Sequence, residues 1–241
     1  MRGNNAGGEN RQFKAYQLKE ALLDYEFWGI VVLSTALCTG SGVLTAFGSL
    51  LFQDMGFDVA TSLLFHLPVG ALVFITIIGS GYLESVIPHS RLYIIAASCV
   101  PVMIGCGLLW KIHNPNNLGR VVGFYLISFF CSGWIQCIGL GISNVAGSTK
   151  KAVYASGTFI AYSLGNIMGP FIFNAKWGPD FEQSFLVLMF CFTSCFVLAL
   201  GLRSMLVREN RRREREFGPP DTLHGMQDLT DRENKSFRYN L

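Results

Sequence analysis

Six apolar stretches fill most of this chain, and each is long enough to cross a bilayer. They run over 27–50, 59–82, 92–110, 121–143, 152–173 and 184–206. Apart from Arg203, near the end of the last, they contain no Lys, Arg, Asp or Glu. A hydrocarbon core about 30 Å thick takes roughly 20 apolar residues per helical crossing. A soluble core helix rarely runs that long without a charge. The composition agrees: 51% of residues are hydrophobic and 15% charged, where an ordinary soluble surface needs about a quarter charged. Membrane β-strands alternate over about ten residues, and these runs do not. The expected fold is therefore an all-α integral membrane bundle of six transmembrane helices. Residues 1–26 form a lead-in, 27–206 the bundle and 207–241 a basic, polar tail.

The placement of charge sets an orientation. With the N-terminus in the cytoplasm, Arg2, Arg11, Lys14, Lys19, Arg91, Lys150, Lys151 and the arginine-rich tail share one side. Lys111, Arg120 and Lys176 fall on the other. The positive-inside rule then places both termini in the cytoplasm. Phe13, Tyr16, Leu18, Leu22 and Leu23 alternate with Lys and Glu, which suits an amphipathic helix on that surface. Turn chemistry is expected at Asp54 with Gly56, at 114–117 and at 177–180. The five Arg and three Glu of 208–216 read as a solvated helix extension or as a patch for anionic headgroups.

The chemistry-bearing residues lie within the spans. Seven cysteines all fall there, as small packing residues; their spacing suggests no metal site. His66, Gln136, Asn144, Asn166 and Tyr162 are the substrate-path candidates, because a buried amide or imidazole in hydrocarbon must face another helix or a wet cavity. His66 precedes Pro68, and a shifted imidazole there could couple a proton. Gly165 and Gly169 form a GxxxG pattern ending at Pro170, which permits close approach and a kink. Gly139 and Gly141 with Gly147 act likewise, and Gly40 with Gly42 are expected to break the first span. No nucleophile arrangement in the spans supports an enzyme, no cofactor is implied, and nothing points to nucleic acid.

Two groups of residues carry a family likeness. Gly81-Tyr82-Leu83-Glu84, followed by Arg91, resembles the Gly-x-x-x-Asp-Arg loop motif of the major facilitator superfamily. Glu84 stands for the Asp, and the adjacent Arg is missing. The second group combines 144–151 (Asn-Val-Ala-Gly-Ser-Thr-Lys-Lys), Gly157, 165–170, the lead-in 16–24, 68–71 and the tail 228–239. It resembles the fungal allantoate permease family of anion:cation symporters. The resemblance implies one half of a twelve-span fold, spans seven to twelve, built as two inverted three-helix repeats. It implies proton-driven uptake of a small organic anion, a ureide or vitamin carboxylate, at the plasma membrane. Glu84, Arg91, Lys150 and Lys151 would form a cytoplasmic gate or clamp. Proton would be the coupling ion, and a second six-helix half or a homodimer the partner. The alternatives are a truncated, non-transporting half and a regulatory partner of a full-length permease.

Overall fold

The computed structural model describes residues 13–54, 56–112, 118–173, 181–218 and 229–241. The turns expected at 114–117 and 177–180 lie outside the described residues, while the one expected at Asp54 with Gly56 is marked by Gly56, at φ +89° with its N–H on the Gln53 carbonyl at 2.9 Å. Helices account for the fold: α1 (Ala15–Leu22), α2 (Tyr25–Asp54), α3 (Val59–Leu64), α4 (Leu67–Val86), α5 (Arg91–Lys111), α6 (Leu118–Ile127), α7 (Phe130–Ser143), α8 (Ser148–Ile172) and α9 (Glu182–Phe217). Among the described residues there is no strand.

Among the described residues, five stretches are long and apolar enough to cross a bilayer: Tyr25–Ala46, Val59–Val86, Arg91–Lys111, Leu118–Ser143 and Glu182–Phe217. The fifth span expected from the sequence lies in α8, which does not reach that apolarity. Its Tyr162, Ser163 and Asn166 and its glycines dilute the hydrophobic content; the glycines face α2, while Phe159, Ile160 and Phe171 are exposed. The boundaries drawn at 26/27 and 206/207 fall inside α2 and α9. Helical hydrogen bonding does not stop where the hydrocarbon does. At 1.5 Å per residue, the 36 residues of α9 span about 54 Å, far more than the apolar layer.

Two crossings are interrupted, the first of them beside Pro68. Between α3 and α4, the Val69 N–H bonds to the His66 carbonyl instead of the one before it. This leaves the Phe65 carbonyl to accept from the Tyr125 hydroxyl at 3.0 Å. Pro68 sits in the first turn of α4, where a missing N–H costs nothing. Between α6 and α7 the chain tightens through Ser128 and Phe129, whose N–H groups bond three residues back.

α2 runs unbroken through Gly40 and Gly42, so these glycines do not break the first span. Their use is contact. Gly40 lies under the rings of Phe130 and Phe192, and Gly42 against the backbone of Asn166 and Gly169. On the facing helix, a Cβ at Gly165 would lie 2.5 Å from the Thr35 carbonyl oxygen, and one at Gly169 would lie 2.7 Å from Gly42. The GxxxG of α8 therefore clasps α2 at the centre of the bundle, glycine against glycine. Pro170 stands two residues from the end of α8 at Ile172, so it stops this helix rather than dividing it. α5 packs against α9, α6 and α7, and α2 also meets α7 and α9. The Val59–Val86 segment is the periphery, with only 11% of its apolar window buried.

Gly165→Ala and Gly169→Ala are each expected to destabilise the detergent-solubilised protein by about 1–3 kcal/mol through overpacking. Gly107→Ala and Gly201→Ala, which face open space, should not. Thermal melting of the four variants checks this.

Candidate functional site

Charges and helix ends converge at the end of the bundle where α2, α5 and α8 begin and α4 and α7 finish. Its centre is Lys150 in the first turn of α8, whose side chain is completely inaccessible to solvent. Its ammonium lies 2.9 Å from Glu20 Oε1, 2.9 Å from Asp24 Oδ2 and 2.7 Å from Asp231 Oδ1. Glu20 belongs to α1, Asp24 follows it, and Asp231 comes from the tail. Burial works against the charged form, but Asp231 and Asp24 outweigh it and hold Lys150 above the ordinary lysine range. Arg232 adds a second cation, 3.9 Å from Glu20 and 3.7 Å from Asp24. Neighbouring Lys151 is exposed and takes no part.

α1 is placed to make this possible. The start of α8 leaves unpaired N–H donors, and its preceding residue, Gly147, has φ +92° and offers no side chain. Gln17 supplies the missing acceptor from α1: its Oε1 receives the N–H of Thr149 at 3.0 Å and of Lys150 at 3.3 Å. Its amide also packs against the Gly147 Cα, where only glycine fits. Gln17 and Ala21 are thus the buried residues of α1, while Phe13, Leu22 and Leu23 remain exposed. For a helix on a membrane surface, those exposed apolar groups meet lipid.

The tail is no solvated appendage. Thr230 and Glu233 cap one another's backbone N–H groups, at 2.9 and 3.2 Å. Arg213 of α9 is buried, and its guanidinium donates to Glu209 Oε1 at 3.1 Å, the Asp231 carbonyl at 2.7 Å and the Tyr239 hydroxyl at 3.0 Å. That hydroxyl donates to Asp231 Oδ2 at 2.9 Å. Burial, then the Asp231 charge, raises the Tyr239 pKa, so the phenol remains a donor. Asn210 of α9 pairs with the Tyr239 backbone in both directions, at 2.8 and 2.9 Å. A cleft of about 590 Å³ lies beside these contacts, lined in part by Asp24, Glu209, Arg213 and Tyr239.

Three further sequence candidates, Asn144, Glu84 and Arg91, join this assembly. Asn144, at the end of α7, is fully buried. It donates to Glu26 Oε1 at 2.7 Å and to the Asn240 carbonyl at 3.0 Å, and it accepts the Asn240 N–H at 2.7 Å. It therefore anchors the tail and does not line a path. Glu26 is itself buried in the first turn of α2, a carboxylate one residue outside the expected span. Arg91 donates from Nε to Glu84 Oε1 at 2.5 Å, and from Nη1 to the Gly139 carbonyl at 2.7 Å and Ser143 Oγ at 2.5 Å. Its backbone N–H reaches the Leu241 carbonyl at 3.0 Å. The loop pair Glu84 and Arg91 thus ties α4, α5, α7 and the tail together.

The other candidates are scattered. His66 lies in the opposite half of α2's length, against Gly48 and edge-on to Phe124. Gln136 is buried in α7. Asn166 donates to the Tyr162 carbonyl of its own helix at 2.9 Å, and exposed Tyr162 lies beside Trp134 with ring centroids 5.0 Å apart. Thr35, Thr45, Thr158 and Ser163 likewise bond carbonyls of their own helices, which satisfies hydroxyls in hydrocarbon without a partner helix. Arg120, assigned by its position to an outer loop, is buried in the first turn of α6. Among the described residues no cluster could hold a metal.

No protein-family model matches the chain. It is 30% identical over 246 residues to an uncharacterized transporter of Schizosaccharomyces pombe, covering 99% of this chain and 47% of that protein. It is 29% identical over 236 residues to an MFS-type transporter of Penicillium expansum, covering 98% and 49%. It is 29% identical over 255 residues to the allantoate permease of Saccharomyces cerevisiae, covering 100% and 47%. The chain spans about half the length of the curated relatives it matches.

Lys150→Ala would leave buried carboxylates unpaired at a cost of about 3–5 kcal/mol. The expected outcome is a lower melting temperature and protease access to residues 229–241, with Lys151→Ala unchanged in both. Because the Lys150 pKa is raised on folding, its contribution is complete below the unfolded value of 10.5. It is lost only as pH rises through the higher folded value.

Proposed function

This chain belongs to the fungal MFS-type transporters that include allantoate permease, and on that premise we propose that it forms one half of a proton-coupled symporter of small organic anions. The observation that carries this reading is the clamp of Glu84 and Arg91. It stands at the loop position where the family motif places a carboxylate and an arginine, and it joins three helix ends and the tail into one body. A bundle tied in this way moves as a unit, as alternating access by rocking of one repeat against another requires.

The second half would seat on the least covered helix. Gly70, Gly79 and Gly81 of α4 meet nothing within 4 Å, and small residues are what let helices approach closely in a membrane. Allantoate, named in one relative, supports an anionic substrate. Glu26, buried and held by Asn144, is a carboxylate able to take up the coupling proton. The plasma membrane, with both termini in the cytoplasm, completes the proposal.

The test joins this chain to the part of the Schizosaccharomyces pombe relative that it does not cover. The product is reconstituted in liposomes and supplied with labelled allantoate and other small carboxylates. Uptake driven by an acid-outside gradient is expected for the joined protein and background uptake for this chain alone. Arg91→Ala should lower the rate about tenfold, the loss expected when charge-assisted hydrogen bonds worth about 1.5–3 kcal/mol disappear. A folded, correctly inserted joined protein that moves none of these anions under the gradient would sink the reading.

A further inference from the structure

The far end of α9 carries two different surfaces. One faces inward, through Cys195, Ala199, Leu202, Leu206 and Arg213, and this side holds the tail. On the opposite side Arg208, Arg211, Arg212 and Arg215 are all exposed. Their spacing of i, i+3, i+4 and i+7 puts four guanidinium groups in one stripe. The interleaved acids lie off it: Glu209 turns to Arg213 while also pairing with Arg212 at 2.7 Å, and Glu214 and Glu216 flank the stripe.

The stripe is continuous with a lipid-facing line. Phe190, Val197, Ser204 and Arg211 recur every seven residues, close to two helical turns, and all are exposed. Whatever surrounds Phe190 and Val197, which are 72% and 62% exposed, meets the arginines next. Arg208 to Arg215 covers about 10 Å along the helix. The headgroup layer is about 5–7 Å deep on each side of the hydrocarbon, and arginine stems can lean back toward it. A shallow cleft of about 450 Å³ lies along the same four residues.

We propose that this stripe binds anionic lipid headgroups of the leaflet it faces, guanidinium to phosphate and carboxylate, and so fixes the depth of α9. The inference does not depend on what the bundle transports. It would hold for a transporter of any substrate.

The experiment uses the full chain in bilayer nanodiscs at low salt, with spin-labelled phosphatidylserine and phosphatidylcholine. The fraction of each lipid immobilised by the protein is read by electron paramagnetic resonance. A preference for phosphatidylserine is expected, weakening as salt rises and the Debye length shortens. Each arginine removed should lower it by up to about fivefold, so Arg211→Gln/Arg212→Gln brings it near unity. Lys19→Gln/Lys151→Gln removes the same charge from exposed sites elsewhere and should leave most of it. Circular dichroism of these surface variants verifies the fold. The proposal is overturned if the arginine pair has no effect, or if the lysine pair has an equal one. It is also overturned if the stripe captures soluble polyglutamate without preferring phosphatidylserine, which would assign the surface to an acidic protein segment.

Discussion

A lysine ammonium with no access to water must be surrounded by charge or not exist as a charge at all. Lys150 is such a group, and its requirement organises one whole end of the molecule. The three carboxylates that meet it come from residues 20, 24 and 231, drawing the lead-in helix and the tail onto the same turn of α8. One cation among three acids leaves negative charge in excess. Arg232 and Arg213 close the account around them, one on the rim and one buried. The tail therefore folds back because α8 opens with a charge that the apolar bundle cannot solvate. Gln17 completes the same turn by capping backbone donors that Gly147 leaves open.

The opposite part of the bundle is held by different means. There Phe52, Phe65, Phe124 and Tyr125 cluster around the break between α3 and α4, and one hydroxyl satisfies the carbonyl the break releases. Between the two ends, glycine contacts bring α2 and α8 to backbone distance. Each device suits its surroundings. Hydrocarbon gives apolar side chains little reason to prefer protein over lipid, so the middle depends on close backbone packing and on polar groups bonded within their own helices. Among the described residues, long-range charge pairing appears where the chain leaves the apolar layer.

This division explains what the sequence made legible. The spans could be read because bilayer thickness imposes a length that a one-dimensional pattern displays. Glu84 and Arg91 could be read because their loop resembles a family motif that carries a carboxylate and an arginine. The break at His66 and Pro68 could be read from proline chemistry. The partners of Lys150 could not: Asp24 lies 126 residues away in the chain, and no periodicity links such positions. Lys150 read as a gate residue on the cytoplasmic side and Asn144 as a buried amide of a substrate path. Gly40 and Gly42 were misread for a related reason. A glycine that weakens a helix and a glycine that admits a neighbour are the same letter, and only the presence of Gly169 across the gap decides between them. The fifth expected span, within α8, falls short in hydropathy because glycines that serve that contact stand where apolar residues otherwise would.

The clamp and the lysine cage meet at the last residues of the tail. Asn240 is held by Asn144, and the Leu241 carbonyl by the Arg91 backbone. Strain at Glu84 can thus pass through Arg91 to the tail, and from Asp231 to Lys150 and α8, through direct bonds. α8 is also the helix clasped to α2 by glycines too tight to allow sliding. In the proposed rocking mechanism, a displacement of α4 at its clamped end is passed to the rest of the bundle through these contacts. Glu26 sits at the junction, bonded to the same Asn144 that grips the tail. Its protonation would remove a charge from the one place where the lead-in, the tail and the first helix are fastened together. In the proposed mechanism, proton uptake at Glu26 and the integrity of the tied end are coupled through Asn144.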